Sequence, residues 1–225
     1  MIHPDIQAML VRERSATLRA TAAAYRRGRQ ARSAAMTVSR AAANRTALDR
    51  TTERAPVVLR DGSAVLIRPV HGADAPLLAD GFARLSERSR RLRFLGRKRT
   101  LTEAELRFFI DVDHHDHEAL GALDHVRGGG VGIARYVRDR ENPAAAEIAV
   151  TIVDDWQGRG LGTELLARLA ERAREEGIRR FTAVVADGNA PASGLLRSSG
   201  ASLVHRGAGI AEYEIDLHGT SSRVG

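Results

Sequence analysis

The chain has 225 residues, a formal net charge of +7 and 43% apolar residues, which suits one ordinary core plus an extension. It contains no cysteine, so disulfides and thiolate metal sites are excluded. No run approaches about 20 consecutive apolar residues and no charged-then-apolar leader is read, so a soluble, cytoplasmic protein without a membrane partner is expected.

Residues 1–55 hold eleven arginines against four acids, the whole of the net excess; residues 56–225 balance. This stretch is rich in Ala and Arg, which favour helix, but its large apolar residues keep no helical stripe beyond Ile6–Leu10. A basic N-terminal extension, helical or disordered, is expected over 1–55. A solvated arm or an oligomerisation helix is the main reading; contact with nucleic acid through 1–55 is the lesser one.

Pro56 marks the boundary of a domain over 56–218, with 219–225 as a flexible tail. Val57–Arg60 and Ala64–Arg68 read as strands around an Asp61-Gly62 turn. A helix follows Gly72-Ala73-Asp74-Ala75-Pro76, with Leu77, Leu78, Phe82 and Leu85 at helical spacing. Ser86 can cap a second helix through Phe94, and Thr102-Glu103-Ala104-Glu105 reads as a capping box before Leu106, Phe109 and Ile110. Strands are predicted at 119–123, 132–137 and 146–153, with Gly128-Gly129-Gly130 turning between the first two. From Gly160, Leu161, Leu165, Leu166, Leu169 and Ala173 share one face of a helix that Gly177 ends. A strand at 181–185, a helix from Asn189 to Ser199 and closing strands at 201–204 and 210–217 complete an α/β domain with a mixed sheet.

The chemistry concentrates at Gln157-Gly158-Arg159-Gly160-Leu161-Gly162, where an apolar strand runs into a glycine-rich turn and then a helix. Such a turn presents main-chain N–H groups without helical partners at the positive end of the helix dipole, a place for phosphate. Glycine lets the backbone approach an anion closely, and Arg159 is positioned to add a charge-assisted contact. The Walker pattern is absent, because Gly-Leu-Gly-Thr stands where Gly-Lys-Ser/Thr would be needed. The dinucleotide fingerprint belongs after the first strand of a repeating array, whereas these glycines come late.

Residues 57–217 resemble the GNAT superfamily of acetyl-CoA-dependent N-acyltransferases. The likeness rests on an apolar strand followed by Gln157-x-x-Gly160-x-Gly162, on Asn189 opening the next helix, and on Gly200 before a strand. Arg91–Leu95, Asp111–Leu120, Ala134-Arg135-Tyr136 and Ala146–Val150 leading into Asp154–Gly162 resemble, more narrowly, the acetyltransferase domain of bacterial Pat-type protein lysine acetyltransferases. The resemblance implies a GNAT-like, mostly antiparallel central sheet flanked by helices, acetyl-CoA as co-substrate and an amine acceptor, foremost a protein lysine. It implies that main-chain groups near Ile152 and Val153 hold the pantetheine arm as an added strand. The amides of Gln157, Gly158, Arg159, Gly160, Leu161, Gly162 and Thr163 would then receive the pyrophosphate, and Asn189 would position the pantetheine end.

Glu147 is the candidate general base, a carboxylate in an otherwise apolar strand, where an interior site would raise its pKa toward working pH. Its bland counterpart is a solvent-facing or arginine-paired strand glutamate. The family often places a tyrosine in the helix after Asn189 as general acid; Leu195-Leu196 stands there instead, and Tyr136 and Tyr213 read as core. Asp154 and Asp155 read as solvent-facing turn acids and Trp156 as packing. His114, His115 and His117 offer metal-type ligands but read as a structural or substrate-contacting loop, so no metal is expected. Small-amine acetylation and a non-catalytic acyl-CoA-binding regulatory module are the alternative functions.

Overall fold

The computed structural model describes residues 55–218. The expected basic extension and the tail from 219 lie outside the described residues. Eight strands form one sheet: β1 (Val57–Val58), β2 (Ala64–Pro69), β3 (His117–Asp124), β4 (Gly130–Arg138), β5 (Ala145–Ile152), β6 (Arg180–Ala186), β7 (Ser202–Gly207) and β8 (Ile210–Asp216). Their spatial order is β1-β2-β3-β4-β5-β6-β8-β7. Every neighbouring pair is antiparallel except β5 and β6, which run parallel.

The parallel pair needs a crossover, and α4 (Leu161–Glu175) supplies it. Leu161, Leu165, Leu166, Leu169, Ala170 and Ala173 are its buried residues, and the helix packs on β3, β4 and β5. The fit is close: a Cβ built on Gly132 of β4 would lie 2.8 Å from Ile152 Cδ1 and 3.2 Å from both Leu161 and Leu165. Gly132 pairs with Ile152, so the even-numbered residues of β5 face α4.

The opposite face of the sheet carries α1 (Ala75–Ala83), α2 (Glu87–Phe94) and α3 (Glu103–Ile110). Ser86 caps α2 by accepting from the Ser89 amide, and Thr102 and Glu105 close the capping box expected at α3. The helix expected from Gly72 begins as a 3₁₀ turn, Gly72–Asp74, because Pro76 and the Asp74 side chain fix a tighter start. Asp74 is buried and grips Arg68 through two contacts, 2.7 and 2.6 Å. The last helix, α5 (Ala190–Ser198), packs Leu195 and Leu196 beside the first turn of α4. No helix among the described residues is long and apolar enough to cross a membrane.

Candidate active site

The ladder between β5 and β6 is short. Ala145, Ala146 and Glu147 pair with Arg180, Phe181 and Thr182, and no pairing continues beyond. Ile148–Ile152 therefore has one main-chain edge on β4 and the other on the gap that opens toward β6. The Val153 amide donates to Val131 O at 3.0 Å, so odd-numbered groups of β5 turn toward β4. By alternation Ile148, Val150 and Ile152 turn theirs into the gap.

This refines the expected pantetheine seat. Val153 has both main-chain groups engaged, since its carbonyl accepts from Trp156 N at 2.9 Å. Ile152 O accepts from Gln157 Nε2 at 3.0 Å, so the Gln157 side chain braces the strand end. Ile148 and Val150 were not named from the sequence, because which edge of a strand is free depends on its neighbours.

The glycine-rich turn lies at the end of this gap. Gly158 and Gly160 have φ of 76° and 93°, the left-handed region that a side chain disfavours. The Gln157 amide donates to Asp154 O and the Thr163 amide to Gly160 O. Between them, the amides of Gly158, Arg159, Gly160, Leu161 and Gly162 make no hydrogen bond among the described residues. Five consecutive unpartnered amides at the N-terminus of a 15-residue helix form an anion seat. Gly162 has a packing reason as well, since a Cβ there would stand 3.1 Å from Leu195 Cδ2 of α5.

Arg159 does not extend toward that seat. Its guanidinium meets Asp61 Oδ2 at 3.0 Å, donates to the Asp155 carbonyl and stacks 4.8 Å over Trp156. Trp156 is buried packing, as expected. Asp154 is exposed, yet it accepts from Ser86 N, Ser86 Oγ and Ser89 Oγ, which ties the start of α2 to the loop. Burial raises its pKa, but those hydrogen bonds outweigh it and hold the carboxyl below its ordinary value. Asn189 caps α5, its side chain accepting from the Ala192 amide at 3.3 Å.

Glu147 occupies the last paired rung before the gap, opposite Val137 on one side and Thr182 on the other. It is exposed, which corrects the interior site expected from the apolar strand. Its side chain stands open on the sheet face that it shares with Thr151. The same row continues to Glu214, paired with Thr182, and Glu212 follows opposite Val184. Glu147, Glu212 and Glu214 thus share one sheet face, with Arg180 Nη1 3.3 Å from Glu214. The spacing of Glu212 and Glu214 is visible in the sequence; their pairing with β6 is not.

The histidine loop is structural. His114 has a φ of 58° and places Nδ1 2.7 Å from buried Glu118, which also meets Arg172 at 3.4 Å. His115 contacts Glu176. His117 is buried and stacked 4.8 Å from Phe108; burial first, then Arg135 and His114, push its pKa down to about 2, so the ring is neutral. Tyr136 donates to His115 O from the core, and burial foremost raises its pKa. Tyr213 is buried too. Neither tyrosine stands in α5.

The acetyltransferase (GNAT) family profile matches residues 84–201. The chain belongs to the GNAT acetyltransferase family. The matched residues include β5, the glycine-rich turn and α4. It is 32% identical over 162 residues to acetyltransferase Pat of Mycolicibacterium smegmatis, covering 72% of this chain and 48% of that one. The chain thus spans about half the length of that relative. It is 39% identical over 128 residues to an acetyltransferase of Pseudomonas aeruginosa, covering 56% of this chain and 68% of that one. The crystal structure of the GNAT domain of S. lividans PAT superposes with a TM-score of 0.67 at 32% identity, covering 72% of this chain and 96% of that one.

Proposed function

We propose that this protein acetylates protein lysine side chains in the bacterial cytoplasm, by direct attack of the amine on acetyl-CoA with Glu147 as general base. The observation that carries the reading is the exposed carboxylate at the rung where β5 and β6 part, beside a main-chain edge and an anion seat suited to the coenzyme.

In this reading the pyrophosphate rests on the amides between Gln157 and Thr163, and the pantetheine adds to the edge of Ile148, Val150 and Ile152. An amide of that edge polarises the thioester carbonyl. Glu147 takes the proton as the amine nitrogen bonds the carbonyl carbon, and the C–S bond then breaks. Water protonates the departing thiolate, since α5 offers Leu195 and Leu196 where a tyrosine would serve. The exposure of Glu147, with Glu212 and Glu214 on its face, favours a cationic side chain reaching in from a larger partner. The resemblance to Pat-type proteins points the same way.

Incubation with radiolabelled acetyl-CoA, an acyl-CoA synthetase panel and a small-amine panel tests the proposal. Label on protein lysines is expected. Label confined to small amines would replace the acceptor, and coenzyme binding without turnover would leave a regulatory module.

A further inference from the structure

Between α1–α3 and the sheet lies a cleft of about 90 Å³. Its walls are largely apolar, with Leu78, Phe82, Phe94 and Ile133 among them, but Arg135 of β4 and Arg93 of α2 also line it. Arg135 is only 6% exposed. Its guanidinium donates to Phe109 O at 3.2 Å, lies 3.2 Å from His117 Nε2 and stacks 4.3 Å over the Phe109 ring. All three partners are uncharged, because His117 is neutral. No carboxylate among the described residues pairs with Arg135, and the charge acting on it is the like charge of Arg93. Burial, then Arg93, lowers its pKa to about 9. The one carboxylate lining the cleft, Asp74, is held by Arg68 and the His71 amide.

A buried cation without a counter-ion is costly, and a lined cavity beside it gives a ligand anion room to supply one. The position of the cleft indicates which ligand. Thr151 and Val153 form its β5 wall, with Arg93 Nε donating to Thr151 Oγ1 at 2.9 Å. These residues alternate with Val150 and Ile152, whose main-chain groups face the gap assigned to the thioester arm. Glu147, which must face the acceptor amine, does not line the cleft. The cleft therefore adjoins the donor side of the reaction.

We propose that this cleft is an acyl-tail pocket for coenzyme A thioesters whose short acyl group ends in a carboxylate, with Arg135 as the carboxylate's partner. The inference rests on the acyl-transfer reading above and adds a second donor class, the half-thioesters of short dicarboxylic acids. The chemistry balances as before. The amine nitrogen bonds the thioester carbonyl carbon, the C–S bond breaks, the amine proton leaves to Glu147 and water protonates the thiolate. The distal carboxylate is unchanged in the product.

The test compares succinyl-CoA with butyryl-CoA, which has the same four-carbon acyl chain without the terminal carboxylate. In the wild-type protein succinyl-CoA should exceed butyryl-CoA in kcat/KM by roughly tenfold or more and raise Tm further at equal concentration. In Arg135→Met the succinyl-to-butyryl ratio should fall by a similar factor, while Arg135→Lys should restore part of it. A mere structural role for Arg135 would lower the rates with both donors and leave their ratio unmoved, overturning the proposal. So would a wild-type protein in which succinyl-CoA neither reacts nor stabilises better than butyryl-CoA. A carboxylate preference found only on the acceptor, with free amino acids favoured over their amides under acetyl-CoA, would overturn it as well. If acetyl transfer itself is absent, the function proposed above fails, and the Tm comparison still decides whether the pocket prefers the carboxylate.

Discussion

On one face of β5, Ala146 and Ile148 lie buried in the core that includes Leu161, Leu165 and Leu169 of α4. On the other, Glu147 stands exposed and Thr151 reaches Arg93 across the cleft. The same eight residues thus carry a dry side that fixes the strand and a wet side that meets ligands. The difference teaches how the site is held: α4 both packs the dry side and presents its own N-terminus to the gap, so core and anion seat share one rigid element.

Two substitutions separate the faces most sharply. Glu147→Gln changes the wet face alone. Steady-state kinetics should show kcat reduced by roughly 10²–10⁴-fold with little change in the KM for acetyl-CoA, the range expected when a general base is lost. Normal turnover in this variant would remove Glu147 from the mechanism. Leu165→Ala changes the dry face alone. Leu165 is wholly buried and lies beside Gly132, so its truncation should destabilise the protein by about 2–5 kcal/mol in chemical denaturation. Its kcat on the folded fraction should change far less. A large kcat loss there would show that packing and chemistry are coupled through α4 rather than divided by face.

The dry side was the legible one. The recurrence of Leu161, Leu165, Leu166 and Leu169 predicted the helix and its buried face, and the strands expected at 119–123, 132–137 and 146–153 from apolar runs and a glycine turn stand as β3, β4 and β5. Gly158 and Gly160 were readable as a glycine-rich strand-to-helix turn open to an anion, and the structure adds their positive φ. What stayed hidden depends on neighbours distant in sequence. The place of Glu147 on the last rung before the gap follows from the pairing with β6 stopping at Thr182. The choice of Ile148 and Val150 over Val153 follows from the bond to Val131. The turning of Arg159 away from the anion seat follows from Asp61, nearly a hundred residues earlier. The cleft around Arg135 is assembled from three helices and four strands, and no local pattern announces it.

A third variant tests how the cleft's wall is held. Asp74→Asn leaves Arg68 without its carboxylate in a partly buried setting and should cost about 1.5–3 kcal/mol at neutral pH. The pH dependence has a definite sign. Burial raises the pKa of Asp74, but bonds from Arg68 and His71 outweigh it and hold the value below the ordinary 3.8. A depressed carboxyl contributes stability above its unfolded pKa and loses it as pH falls through the folded value. The difference between wild type and Asp74→Asn should therefore persist down to about pH 4 and shrink at lower pH. A difference that grew on acidification would show that Asp74 is not the ionised partner of Arg68.

The smallest effect is the most local, at the two ends of α4. Gly160 before the helix and Gly177 after it both have positive φ, 93° and 78°. An added Cβ would meet nothing closer than the Arg60 side chain at 3.4 Å in the first case and nothing within 4 Å in the second. Gly160→Ala and Gly177→Ala should therefore each lose about 1 kcal/mol, through backbone strain rather than clash. Their ligand affinities should diverge. Relaxing φ at residue 160 reorients the unpartnered amides from Gly158 to Gly162, so calorimetry should find coenzyme A bound several-fold more weakly. Relaxing φ at residue 177 acts at the far end of the helix and should leave that affinity alone. Equal coenzyme affinity in both variants would mean the anion seat does not depend on the turn geometry, and the pyrophosphate would have to be placed elsewhere along the gap.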